Sequence, residues 1–485
     1  MRSRHVIVLL ALAMAMSSCT CARRAPTVTR TKLATLPQTF RSRSLIVADS
    51  ATDVAYVEKN ADSSRVVHRA EAGPAFPIVT PPVLSPSGDR VFYWAQTTVA
   101  GATVVYLVAD GQQITAPVAA AGGIVTSPVG KRWAAVGGTA RPAASGEGEE
   151  AGPVLLWVDG QPSVEYADMS LPTFSRDGAH LAFLADVGGG RVALIVDGVE
   201  QRVFAAPVGP VTPIRRAIPG PNLVRQFAIG YLSDGQLLLL TTDRNGWSVY
   251  RGEHRLASYP RNADHRASDG PLVIDSALAD AAAIVPHSLK TAHDAPVAAW
   301  WARDQGDPPV WRVVRDGVPE SQACTQPLRD DSPVLSADGR HLAYACHTQA
   351  EGQPDQVLVV HDGQHFGPYT DVFGAALSAD GQRLAYIISD GSPERPWSYV
   401  VDGKRHRLKF DEAYPPRFSA DGRHVAWVAQ RNRGSAGPKL ILFLDGNSYA
   451  SSDQLIFAPT FALGTHRLTW VVQRGRNISR IEVVD

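Results

Sequence analysis

Apolar residues in this chain come in short bursts closed by glycine-containing turns. No long stretch carries the 3.6-residue period of a surface helix. The burst Leu342-Ala343-Tyr344 follows Ser336-Ala337-Asp338-Gly339. The same phrase starts again at Ser378 and at Ser419, with spacings of 42 and 41 residues. A fixed period of this length marks a repeated supersecondary unit that completes its core by stacking on its neighbours. In the copy from Val401 to Gln430, the run Ser398-Tyr399-Val400 ends at Asp402-Gly403, a dipeptide suited to a tight hairpin. A return strand over Arg407-Leu408-Lys409-Phe410 is predicted next. The interruption Pro415-Pro416, the turn at Ser419 and the β-forming run His424 to Ala429 then follow. Each repeat thus supplies four short antiparallel strands, the content of one propeller blade.

Weaker copies start at Ser85, Ser127, Ser175, Ser233 and Ala462, with degenerate ones near Ala48 and between Leu272 and Trp301. A second turn alternates with the first: Asp110-Gly111, Asp159-Gly160, Asp197-Gly198, Asp316-Gly317, Asp362-Gly363, Asp402-Gly403 and Asp445-Gly446, with Arg251-Gly252 standing in once. The pattern predicts an all-β propeller of about ten four-stranded blades, built as one large ring or as two smaller propellers divided between 251 and 289. The chain ends on Ile481-Glu482-Val483-Val484, a third strand without its fourth. The segment Thr31 to Leu36 has the character to supply it and close a ring.

The Ser-x-Asp-Gly-x-x-Leu-Ala-Tyr phrase resembles the WD-repeat-like (PD40) repeat of TolB-like periplasmic proteins, which also occurs in the propeller domains of prolyl and dipeptidyl oligopeptidases. The resemblance covers roughly residues 40–485 and is strongest at Ser175, Ser336, Ser378 and Ser419. It implies six to eight blades, fewer than the repeats counted here, and a partner among envelope proteins, lipoproteins or peptidoglycan-associated components.

The N-terminus adds a location. Arg2 and Arg4 precede an apolar stretch from Val6 to Met16 that has signal-peptide length and is too short to span a bilayer. Met16-Ser17-Ser18-Cys19 resembles a bacterial lipobox, so residues 1–18 are expected to be a lipoprotein signal peptide, with Cys19 acylated. Residues 19–30 then form a tether and 31–485 the propeller. Thr20 after the cysteine points, by resemblance to enterobacterial sorting, to the outer membrane. The expected setting is periplasmic, with membrane contact through the lipid only. Cys21 is a bystander. Cys324 and Cys346 sit in neighbouring repeats and are either bridged, as an oxidising periplasm permits, or packed as buried thiols.

With 47 basic and 47 acidic residues the chain has no net charge, which argues against nucleic acid as a partner. Two stretches read as loops outgrowing the blades: the acidic Ala140–Gly152, and Pro207–Gln226, where Arg215 and Arg216 are candidate partner contacts.

No Gly-x-Ser-x-Gly elbow, His-Glu-x-x-His helix, paired Cys-x-x-Cys or phosphate-cradling loop is present, so no catalytic residue, cofactor or metal is expected. Asp177, Asp338, Asp380 and Asp421 would make a ring of carboxylates, but turn geometry explains them without a cation. His341 and His424 are expected at solvent-exposed strand ends, and His254, His265 and His287 form no ligand spacing. Trp94, Trp133, Trp301, Trp427 and Trp470 fall near one strand register and read as packing between blades rather than a sugar-stacking surface. The expected function is a lipid-anchored binding module or scaffold. The alternative is an enzyme or carbohydrate-binding propeller with its site in the channel.

Overall fold

The Asp-Gly dipeptides take the left-handed pair of conformations that a two-residue hairpin demands. From Asp110-Gly111 to Asp445-Gly446, φ is 47–51° at each Asp and 74–90° at each Gly. The computed structural model describes residues 26–40, 44–142, 149–189, 191–205, 228–243, 246–260, 288–304, 310–328, 333–349, 355–389, 391, 396–406, 408–432, 438–461 and 467–484. These turns and the Ser-x-Asp-Gly turns divide the described residues into ten antiparallel sheets. Blades 1 to 5 span 46–72, 78–113, 120–162, 168–205 and 228–260. Blades 6 to 9 span 290–319, 326–369, 371–405 and 412–452, and blade 10 begins at 460. Strands run a, b, c, d from the centre outwards. The Ser-x-Asp-Gly turn joins a to b, and the Asp-Gly turn joins c to d. Both lie on one side of the ring, the turn face; the b–c and d–a connections lie on the other, the loop face.

Blade 10 has strands a to c from the C-terminus and strand d from the N-terminus. Thr27–Thr35 pairs antiparallel with Asn477–Val484, from Thr27 opposite Val484 to Thr35 opposite Asn477. The expected closing strand is therefore present. It begins earlier than the sequence indicated, because Thr27 to Arg30, assigned to the tether, continue the ladder to the end of strand c.

The core consists of ten apolar clusters, and each straddles one pair of neighbouring blades. The cluster of blades 5 and 6 joins Leu238, Leu240 and Val249 to Trp300 and Val314. The one that completes the circle joins Val471 and Ile478 of blade 10 to Val54, Tyr56 and Val67 of blade 1. The interface at the proposed 251–289 division is thus built like the others, and the chain makes one ring of ten blades.

Strand b explains the Leu-Ala-Tyr phrase. In blade 7, Leu342, Tyr344 and Cys346 pack towards blade 6 while Ala343 and Ala345 face blade 8. Large residues on one side and alanines on the other let sheets pack closely across each wedge. All five tryptophans are buried, 0–5% exposed, and so serve packing. They do not share one register: Trp427 and Trp470 face the preceding blade, whereas Trp94 and Trp301 sit one residue on and face the next.

Strand a is broken at a recurrent place. Pro81-Pro82, Pro172, Pro333 and Pro415-Pro416 split it in blades 2, 4, 7 and 9. Bulges at Gly122-Gly123 and Gly374 do the same in blades 3 and 8. Hydroxyls accept the strand-b amides left open there, as Thr80 does from Trp94 at 3.0 Å and Ser170 from Leu184 at 3.0 Å.

Several local expectations change. Ala140–Gly152 is not simply a loop, since strands b and c of blade 3 extend through it to pair Pro142 with Glu149. The return strand of blade 8 is Lys404–Arg405, and Phe410 makes only a single bridge to Trp397. In blade 5 the serine register falls on Leu232, whose N–H donates to the Gln236 carbonyl as that of Ser336 does to His341, so the turn is one residue shorter. Cys324, in the link between blades 6 and 7, is bonded to Cys346 in strand b of blade 7, with Cα atoms 5.9 Å apart.

Candidate functional site

The repeated polar residues meet on the turn face. Ser378 Oγ donates to Asp380 Oδ1 at 2.5 Å and accepts the Arg383 N–H at 2.9 Å, while Asp380 accepts from the Gln382 amide at 3.1 Å. Ser175, Ser336 and Ser419 make the same bonds to Asp177, Asp338 and Asp421, and the four serines are 0–3% exposed. The serine hydroxyl, foremost, holds the Asp177, Asp338 and Asp380 carboxyls below the usual carboxylate range. These carboxylates close turns, as the sequence suggested.

The Asp of each c–d turn does two further things. One oxygen accepts the first amide of strand b, as in Asp110 with Val91, Asp362 with Leu342 and Asp445 with Val425, each at 2.9 Å. The other takes the side chain before that strand. Arg90, Arg132 and Arg383 reach it through Nε at 2.8–2.9 Å, and His180, His341 and His424 through Nδ1 at 2.6 Å. His341 and His424 are thus paired and half-buried to nearly buried, not free strand ends, because the strand register brings the Asp beside them. Arg132 and Arg383 also cross to the next blade, lying over Phe174 and Phe418 and donating to the carbonyls of Ala179 and Arg423, at 2.7 Å each.

Two exceptions keep this pairing with its members rearranged. In blade 1 the charges are exchanged: Asp53 precedes strand b and Arg69 occupies the turn, Nε to Oδ2 at 2.5 Å. Blade 5 has Arg251 where the turn Asp belongs, and blade 6 has Val297 where the cation belongs. Arg251 reaches across to Asp316 of blade 6 and completes both. Blade 5's shorter turn also leaves Arg176 of blade 4 to contact His293 and Asp294 of blade 6.

Beside that junction is an open hollow of about 530 Å³ between blades 6 and 7, lined by Val297, Arg315, Asp316, Val318, Glu320 and Gly339. Its charges are already matched, Arg315 with Glu320 at 3.1 Å and Asp316 with Arg251.

Blade 7 alone among the described residues gathers two imidazoles and a carboxylate. His341, His361 and Asp362 offer donor atoms within 4.8 Å of one another. His341 Nδ1 lies 2.6 Å and His361 Nε2 3.4 Å from Asp362 Oδ2, and His361 Nε2 is 2.9 Å from the Gly381 carbonyl. Sequence reasoning passed over this set because its members stand about twenty residues apart, before strand b and at the end of strand c. The signal was the coincidence, in one repeat, of a His before strand b and a His before Asp-Gly. Cys19, Arg215 and Arg216, like His265 and His287, lie outside the described residues; His254 sits in the outermost strand of blade 5.

No family model matches this chain, and no curated relative does. Solved structures do. A eukaryotic initiation factor is 10% identical over 82% of this chain and 97% of its own, with a TM-score of 0.39. TolB from Acinetobacter baumannii is 14% identical over 72% and 81%, with a TM-score of 0.26. The WD40 domain of SCAP from fission yeast is 10% identical over 94% and 98%, with a TM-score of 0.30. The chain is a β-propeller by its own sheets. What those proteins bind or catalyse does not transfer at this level of likeness.

Proposed function

We propose that this protein is a lipid-anchored β-propeller of the bacterial envelope that binds another envelope protein or lipoprotein through its loop face. The observation that carries the reading is the polarity of the closing strand. Thr27, nearest Cys19 in sequence, pairs with Val484 at the turn-face end of blade 10, and Thr35 lies at the loop-face end. Eight residues from Cys19 to Thr27 span at most about 28 Å when extended. An acylated Cys19 would therefore hold the turn-face rim of blade 10 near the bilayer, with the loop face on the far side of the ring.

The two faces differ in what they offer. On the turn face most of the recurrent serines, carboxylates, arginines and histidines are spent on one another. The loop face receives the ends of the longest connections, those leaving Ala205 and Pro260 and returning at Ala228 and Lys290. Loops carried on a rigid ring suit recognition of a macromolecule.

The test is photo-crosslinking in the native host, from Asp62 on the loop face or from Gln364 beside a turn-face hairpin, in wild-type and Cys19→Ala backgrounds. Support requires one envelope protein captured from Asp62, not from Gln364, and diminished without Cys19. Capture from Gln364 alone, or none above an unrelated lipoprotein, would reject the reading.

A further inference from the structure

We propose that His341, His361 and Asp362 form a binding site for a divalent transition-metal ion of the zinc class, on the turn face between blades 7 and 8. Two imidazole nitrogens and a carboxylate oxygen are the donor types such ions take, whereas calcium and magnesium prefer oxygen sets. The donor atoms converge to within 4.8 Å, and an ion would take the place of the bond that His361 Nε2 now makes to the Gly381 carbonyl. The side chains are 27%, 14% and 38% exposed, so the site opens to solvent.

The molecule contains its own comparisons. Blades 4 and 9 have the same His–Asp pair, but Val196 and Leu444 stand where blade 7 has His361. Blade 1 repeats His361 as His68, bonded to the Gly88 carbonyl at 3.0 Å. There the nearby Asp53 is occupied by the Arg69 guanidinium, a fixed positive charge in the place of an ion. Blade 7 has both imidazoles and no such arginine. The neighbouring Arg340 is 84% exposed and turns towards Asp338 at 3.7 Å, and Arg315 is held by Glu320 and by the Arg340 carbonyl. Gln382 supplies an outer partner, its side-chain amide lying 3.1 Å from His341 Nε2. With the amide oxygen turned inwards it would accept Nε2–H and leave Nδ1 as the ligand, the arrangement that metal-bound histidines favour.

The test titrates untagged full-length protein, stripped with EDTA and held in detergent, with Zn2+ against a colorimetric indicator. Thermal unfolding is followed with and without the ion. His361→Val copies the residue of blades 4 and 8. Asp362→Asn keeps the turn and the acceptor for the Leu342 amide while removing the carboxylate. His180→Gln is the control. We expect each blade 7 variant to bind Zn2+ at least about tenfold more weakly than wild type and to lose the Zn2+-dependent rise in Tm, with His180→Gln unchanged. Equal affinity in wild type and both blade 7 variants, or an equal loss in His180→Gln, would overturn the proposal.

Discussion

In seven blades a single aspartate in the c–d turn fixes a left-handed backbone, caps strand b and takes an Arg or His side chain. The buried serine opposite it satisfies an amide that has no other acceptor. Removing that hydroxyl leaves the half-buried Arg383 N–H without this acceptor, so Ser378→Ala should lower the unfolding free energy by about 1 kcal/mol, measured by urea denaturation. The ionisable members set the pH dependence. Asp177, Asp338 and Asp380 titrate below their ordinary value, so their contribution is complete above it and disappears as the pH falls through the folded values. His180 behaves oppositely. The hydrogen bond to Asp197 raises its pKa, so its contribution is complete below the ordinary imidazole value and is lost as the pH rises through the folded one. His180→Gln should therefore cost more stability at about pH 6 than at about pH 9, read from denaturant midpoints. The turn roles of Ser and Asp-Gly could be read from sequence because they are local. The Asp–His and Asp–Arg pairs could not, since they depend on how two strands register some twenty residues apart.

At the level of the blade, what recurs round the ring is an Asp joined to an Arg or His rather than a residue at one place. Blade 1 holds it reversed and blades 5 and 6 share one between them. Exchanging Asp53 and Arg69 should show this: Asp53→Arg and Arg69→Asp each destabilise, and the double variant recovers about 0.5–1 kcal/mol through the restored pair, measured as a double-mutant cycle. The four-strand repeat was legible because its two turns alternate. Blade 5 was misread by one residue because Ser233-Asp234-Gly235 matches the phrase locally, and only the bond from Leu232 to Gln236 reveals the shortened loop. The strand extensions to Pro142 and Glu149 were hidden by a composition of Ala, Gly and Glu that resembles a solvated loop. The His341–His361–Asp362 cluster escaped for a related reason, since each histidine obeys a different repeat register and only the fold overlays them.

Across the molecule, ten interfaces of one kind form a closed circuit, so no blade leaves an apolar sheet face uncovered. The choice between one ring and two could not be made from periodicity, which is the same in both. It was decided by Leu238, Leu240 and Trp300 packing across the suspected boundary. Closure depends on Thr27–Thr35. Deleting residues up to Thr35 uncovers strand c of blade 10 and removes Leu33 and Ala34 from the last cluster. Such a variant should unfold at a distinctly lower temperature in calorimetry and should associate through the exposed edge in light scattering, whereas a deletion ending at Pro26 should do neither.

The same closing strand imposes an order of events on biosynthesis. Its partner, Asn477–Val484, is the last strand to be made, so the first strand must wait for nearly the whole chain before it can pair. Blades 1 to 9 can stack as they emerge, but blade 10 stays incomplete until Asn477–Val484 has been made. The arrival of that strand is therefore the step that commits the propeller to its final form.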